Sequence, residues 1–428
     1  MTVSRHRRRM TTTRAVVASL VGLVIAVGLG AAGYVAIANT TDGEVVGGGA
    51  TEVTFPATPT ATLAIVDDDG DLASLAVLAV RPDDDSDEGR GGTVVPIPIS
   101  ADSSGGFGTE RTPLNETVEL FGAESLADEV PVLLGVGVDQ LAVLDEDELA
   151  ALLAPIGPIE VNLPMAVIDG SGQEIAGPGV QTLTPERVAE LLSATDGDTT
   201  GADRYPIDVA IWAAIADAVG GGSTTESAEP STSAPDVEGR VLDRVLQGPI
   251  SVQPLRSSPI VSLDRNPRGV DAVALDRPEV LVIFGHIAPS KVAAPNPGYN
   301  FRIVSPFSDE QLADGVSRLD VAYTATDAVL GSDANVVSVD TSSGEAGAAT
   351  VIEVGDENLI QAANTLSEVF GTVEVRIADP RIAGVDVVAT LGTDYLSRLD
   401  SAAATATDPA TSTGGSTAAP ETSVGAAG

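Results

Sequence analysis

The chain has no cysteine, which excludes thiol catalysis, thiolate metal sites and disulfide staples. Histidine is almost as scarce. His6 lies in a basic stub, and His286 stands alone in the apolar stretch LVIFGHIAPS, where it reads as a satisfied core or edge residue. A Ser-His-Asp relay or a zinc site therefore has almost nothing to work with. Aromatic residues make up only 3% of the chain, so any core is built from Val, Leu, Ile and Ala. Basic charge is short too: 22 Lys and Arg stand against 62 Asp and Glu, and five of the 22 precede residue 15. No basic run follows, which excludes nucleic acid as a partner, and a polyanionic ligand would need arginines gathered locally by the fold.

Against this background the N-terminus stands out. Arg5, Arg7, Arg8, Arg9 and Arg14 precede the uncharged apolar run Ala15–Ala38, and no acidic residue appears before Asp42. A helix of about 20 residues crosses the hydrocarbon core, so the run is long enough to span. The arginines on its N-terminal side put residues 1–14 in the cytoplasm and everything after Ala38 outside. The expected location is the cell membrane, single-pass, with an extracytoplasmic bulk. A secretory signal peptide is the competing reading, with Ala36-Ile37-Ala38 as its cleavage site. Signal peptides carry about 7–15 apolar residues, and the length of this run favours an uncleaved anchor.

Composition then divides the chain. Residues 39–60, rich in Gly, Thr and Pro, read as a stalk; 220–239 (GGGSTTESAEPSTSAPDVEG) reads as a flexible insertion and 401–428 as a disordered tail. Between these breaks, TATLAIV, LASLAVLAV and TVVPIPIS have strand length, the prolines of the third arguing for a sheet edge. Helical signals follow in NETVELFG, ESLADEVPVLLG, DEDELAALL and TPERVAELLS, the last with Thr184 as cap and Pro185 at the first helical position. IEVNLPMAVID reads as another strand. Later, ATVIEV, TVEVRIA and VDVVATLG read as strands around one helix, ENLIQAANTLSEVF, capped by Asp356 and stopped at Gly371. The order predicts an α/β chain: a transmembrane helix, a larger helix-covered mixed β-sheet domain over 61–297 and a smaller α/β domain over 298–400.

The acidic clusters VDDDGD and PDDDSDEG fail the calcium-loop test. Gly70 at loop position 6 puts Ala76 at position 12, and Gly89 puts Val95 there, where a bidentate Glu is required. They read as solvated turns. No phosphate-cradling Gly-Lys loop or dinucleotide fingerprint occurs.

In the order of its elements behind a single anchor, the chain resembles the LytR-CpsA-Psr family, bacterial envelope proteins that transfer glycopolymers from polyprenyl-pyrophosphate carriers to the cell wall. The resemblance rests on LASLAVLAV, VVPIPIS and LNETVELFGAESL, then on LLGVGVDQLAVLDEDELAALLAPIGPIEVNLP and GPGVQTLTPERVAELL, and covers residues 61–290. Residues 299–399 resemble the LytR C-terminal domain, most clearly in TVIEVGDENLIQAANTLSEVFGTVEVRI and GVDVVATLGTDYL.

The family's transfer chemistry uses a strand Asp, several arginines that hold the pyrophosphate, and a divalent ion, because the migrating phosphoryl group carries negative charge. Here the strand Asp position falls at Ala73 or Ser74, the Arg-Asp pair at Ile99 and Ser100, and the Arg-x-Arg at Ser193 and Thr195. Of the later arginine cluster only Arg204 has a counterpart, and Arg111 stands in for a family lysine. The resemblance therefore implies a scaffold without its pyrophosphate grip. The expected role is binding or scaffolding in cell-wall glycopolymer attachment, with Arg111 and Arg204 as ligand-binding candidates, no catalytic or metal residue, and a polyprenyl-phosphate lipid or envelope proteins as partners. Two alternatives stay open: an active phosphotransferase, which would bring in magnesium, and a stalked interaction protein unrelated to glycopolymers.

If the anchor reading holds, protease added outside intact cells removes nearly all of the chain, and N-terminal sequencing of the mature protein still finds Arg5–Arg14. A mature protein beginning at Asn39 would establish a cleaved signal peptide.

Overall fold

A computed structural model describes residues 52–81, 90–104, 110–195, 200–220, 241–295, 298–332 and 334–399. The apolar N-terminal run, the stalk up to residue 51, the acidic run 82–89, residues 221–239 of the insertion and the tail lie outside the described residues. Within them, no helix is long and apolar enough to cross a membrane.

The chain folds as a mixed α/β protein around two five-stranded sheets. In the first, the order is Ile250–Val252, Gly92–Pro96, Leu72–Val80, Thr60–Val66, Gln140–Leu144. Leu72–Val80 runs antiparallel to both of its neighbours, and the two outer pairs are parallel. All nine of its residues are buried, and the run is apolar but for Ser74 because helices cover both faces of the sheet. Side-chain alternation sends Ala76, Leu78 and Val80 into one core with Trp212, Leu191 and Leu192. Leu75 and Val77 enter the opposite core with Leu126 and Phe284.

Local chemistry sets the element ends. Asp145 and Glu148 form a capping box at the start of Glu146–Leu153, and the Thr184 side chain accepts from the Arg187 backbone N–H ahead of Pro185. In VDDDGD, Asp67 Oδ1 accepts the N–H groups of Asp69 at 3.0 Å and Asp71 at 2.9 Å, so its carboxylate shapes a turn between strands. TVVPIPIS departs from its expected place. Its strand, Gly92–Pro96, is internal, because Ile250–Val252 pairs with its first three residues. Pro96 and Pro98 fall beyond that register, where no outer neighbour needs their missing N–H.

The second sheet runs Asn335–Asp340, Asn300–Val304, Val387–Thr390, Thr350–Val354, Val373–Ile377, with its own core of Phe301, Ile303, Ile352, Phe370 and Tyr395. The stretch ENLIQAANTLSEVF forms three short helical pieces, 357–359, 360–364 and 367–370, and not one helix. Asn364, Thr365 and Ser367 donate side-chain bonds to the carbonyls of Ile360, Ala362 and Asn364, competing with the regular helix ladder.

One helix, Arg277–Ile287, belongs to both units. It is apolar nearly all round because it is packed on both sides: Ile283 and Phe284 enter the first core, Val282 the second. Asp276 caps it and also accepts from the Tyr323 hydroxyl at 3.0 Å. Arg256 pairs with Glu279 at 2.7 Å and lies 4.6 Å over the Tyr323 ring. His286, at the end of the helix, is exposed at an edge, with Nδ1 3.3 Å from the Val339 carbonyl oxygen.

Gly285 permits this docking, because a Cβ there would stand 3.1 Å from the Val339 backbone nitrogen. Substituting Gly285→Val should therefore lower stability by about 1–3 kcal/mol through overpacking, read as a fall in the denaturant midpoint. An unchanged midpoint would show that the contact can relax.

Candidate functional site

Four strands of the first sheet end, and Leu72–Val80 begins, at one edge. In open α/β sheets the crevice outside the carboxyl ends of the strands is where ligands sit. Here it holds a cavity of about 260 Å³ lined by Asp71, Ala73, Ile99, Glu119, Thr195 and Arg204, among others. The first turn of the Gly201–Gly220 helix presses against its wall. A Cβ on Gly201 would fall 2.7 Å from that of Ser100, so glycine is what allows the approach. The Ser100 hydroxyl is buried with no hydrogen-bond partner among the described residues.

Arg204 and Asp208 lie four residues apart on one face of that helix. Their Nε to Oδ1 distance is 3.0 Å and both are buried. Arg204 also donates to the Leu191 carbonyl. Loss of hydration pushes the Asp208 carboxyl up to about 6, against the attraction of Arg204, which pulls it down. The guanidinium is thus largely committed within the protein. Among the described residues lining the cavity it is the one cation, and Asp71 and Glu119 line the same cavity.

Arg111 lies elsewhere. It pairs with Asp102 at 3.0 Å and donates to the Arg265 carbonyl at 2.6 Å and the Ser104 hydroxyl at 3.1 Å. It is buried, fastening the segment around Arg265 to the loop after the Gly92–Pro96 strand. The two arginines singled out from the sequence are not brought together in this cavity.

The Ser193 and Thr195 positions are hydrogen-bonded to acids. The Ser193 hydroxyl donates to Glu146 Oε2 at 3.2 Å and that of Thr195 to Asp67. Beside them opens a second depression lined by Asp67, Asp68, Asp69, Glu146, Asp169 and Glu190. Its field opposes a phosphate group. Among the described residues no group of three or more His, Cys, Asp or Glu side chains is placed to hold a metal ion. Asp208 was missed from the sequence, although its i, i+4 spacing from Arg204 in GADRYPID carried the signal.

No family model and no curated protein matches the chain. Among solved structures it is similar to B. subtilis TagV, at 15% identity over 51% of this chain and 91% of that one, with a TM-score of 0.36. It is also similar to B. subtilis TagT, at 13% identity over 54% and 91% with a TM-score of 0.36, and to B. subtilis TagU, at 16% over 53% and 94% with a TM-score of 0.30.

The raised Asp208 carboxyl makes a signed prediction. The folded chain holds this proton from the ordinary value of 3.8 up to about 6, while the unfolded chain releases it. Its contribution to stability is therefore greatest below that window and is lost as pH rises through it. The stability of the wild type relative to Asp208→Asn should fall between about pH 4 and pH 6 and be level on either side, as measured by denaturant titration. A flat difference across the window would refute the assignment.

Proposed function

We propose that the chain is a membrane-anchored, extracytoplasmic protein of the bacterial cell envelope, LytR-CpsA-Psr-like, that binds a carrier lipid or scaffolds glycopolymer attachment without transferring the polymer itself. One observation carries this reading. Ala73, Ile99, Thr195 and Arg204, which by the resemblance stand where that family places charged motif residues, line a single cavity, and the lone guanidinium among its described lining residues is tied to Asp208 and the Leu191 carbonyl.

Phosphoryl transfer needs fixed positive charge free to meet charge that develops in the transition state. A guanidinium already paired with a buried carboxylate supplies little of it. A scaffold keeping the crevice but lacking this charge suits recognition better than turnover. The Arg5–Arg14 stub and the following apolar run support placing it at the outer face of the cytoplasmic membrane.

With magnesium or manganese present, the purified full-length chain should neither release nor transfer phosphate-linked sugar from a polyprenyl-pyrophosphate substrate. A polyprenyl-phosphate lipid should raise its melting temperature by mass action. Turnover that Arg204→Ala abolishes would overturn the proposal in favour of an active transferase, and the absence of any thermal shift would move it toward protein-protein work.

A further inference from the structure

A larger cavity, about 360 Å³, opens at the opposite edge of the first sheet. It lies against the end of Leu72–Val80, while the crevice described above lies against its start. The eight steps from Leu72 to Val80, at about 3.3 Å each, separate the two by roughly 25 Å. It sits in the junction between the units, bounded by the entry segment, the helix Arg277–Ile287 and Leu319 of the second unit.

Three features mark it as a built site. The first is charge: in a chain with 62 acidic and 22 basic residues, the described residues lining this cavity include Arg81 and His286 and no carboxylate. The second is an orphan. Thr58 is fully buried, lines the cavity, and its hydroxyl has no hydrogen-bond partner among the described residues, a state that costs stability unless something met there satisfies it. The third is the orientation of His286. Its Nδ1–H donates to the Val339 carbonyl oxygen at 3.3 Å, which orients the ring and leaves Nε2 as an acceptor for a donor group such as the P–OH of a phosphate monoester. Gln253 adds an amide, and Val80, Ile283 and Leu319 supply an apolar wall.

We propose that this junction cavity binds a small amphiphilic organic anion, its phosphate or carboxylate head held by the Arg81 guanidinium and the Thr58 hydroxyl beside His286, and its short apolar body against Val80, Ile283 and Leu319. The volume lies at the low end of ligand pockets, about 300–1,000 Å³, so the occupant is small. Because residues of both units line the cavity, a bound anion tightens their junction. The site stands apart from the crevice at the other edge, so it succeeds or fails independently of the function proposed there.

Isothermal titration of the purified full-length chain with hexyl phosphate, hexanoate, inorganic phosphate and hexanol tests the assignment. Saturable binding is expected for hexyl phosphate or hexanoate, at least about tenfold tighter than for inorganic phosphate or hexanol; the stronger of the two heads identifies the anion class. Arg81→Gln should weaken it by about tenfold or more, and Thr58→Val, which keeps the side-chain shape, by about threefold to tenfold. In imidazole 15N spectra the Nε2 resonance of His286 should move on binding while that of His6 does not. Absence of saturable binding, or binding that neither variant weakens, would overturn the proposal. So would equal affinity for inorganic phosphate, which needs no apolar wall.

Discussion

Burial of the Leu72–Val80 strand on both faces is the constraint on which the rest of the first unit depends. Its five Leu and Val side chains, at about 1.5–3 kcal/mol each, contribute on the order of 10 kcal/mol, and all are buried. To bury both faces, the chain must place helices on each side of the sheet. Helices such as Pro185–Ser193 and Gly201–Gly220 cover one side; Leu126–Leu134 and Arg277–Ile287 cover the other. A cavity lies at each end of the strand.

These openings differ in electrostatic character because different segments flank them. At the start of the strand, the turn carrying Asp67, Asp68, Asp69 and Asp71 brings carboxylates to the rim, and the nearby cation is spent on Asp208. At its end, Arg81 and the exposed His286 meet no acid among the described residues of the cavity wall. The described lining of the first opening thus carries a guanidinium paired with a buried carboxylate, and that of the second carries Arg81 and His286 without one.

The helix Arg277–Ile287 couples the two sheets. Its Phe284 and Val282 enter different cores, Gly285 lets it approach the Asn335–Asp340 strand closely, and Arg256, Glu279, Tyr323 and Asp276 form a linked set of contacts across the junction. The entry segment reinforces it from the other side. Glu52–Val53 pairs in parallel with Arg381–Ile382 of the second unit, and Arg302 lies 5.7 Å over the Phe55 ring. The chain therefore touches the second unit before it builds the first sheet, which fixes the stretch following the N-terminal region against both.

Local signals in the sequence determined a good deal. The alternation of strand-length apolar runs with helical stretches specified an α/β chain, and Thr184 and Asp356 marked helical starts, because capping is a contact within a few residues and needs no distant partner. The acid-rich VDDDGD was legible as a turn for the same reason. What depended on distant partners was not legible. That Gly92–Pro96 is internal was decided by Ile250–Val252, more than 150 residues away. That ENLIQAANTLSEVF breaks was decided by its own side chains competing for carbonyls, a choice that helix periodicity does not register. Arg111 and Arg204 look alike as isolated cations in a chain poor in them, but only the tertiary fold decided that one fastens a loop through Asp102 and the other lines a crevice already paired to Asp208. Charge type is written in the sequence; whether a charge is free depends on the desolvated partner the fold brings to it, and that is a property of packing alone.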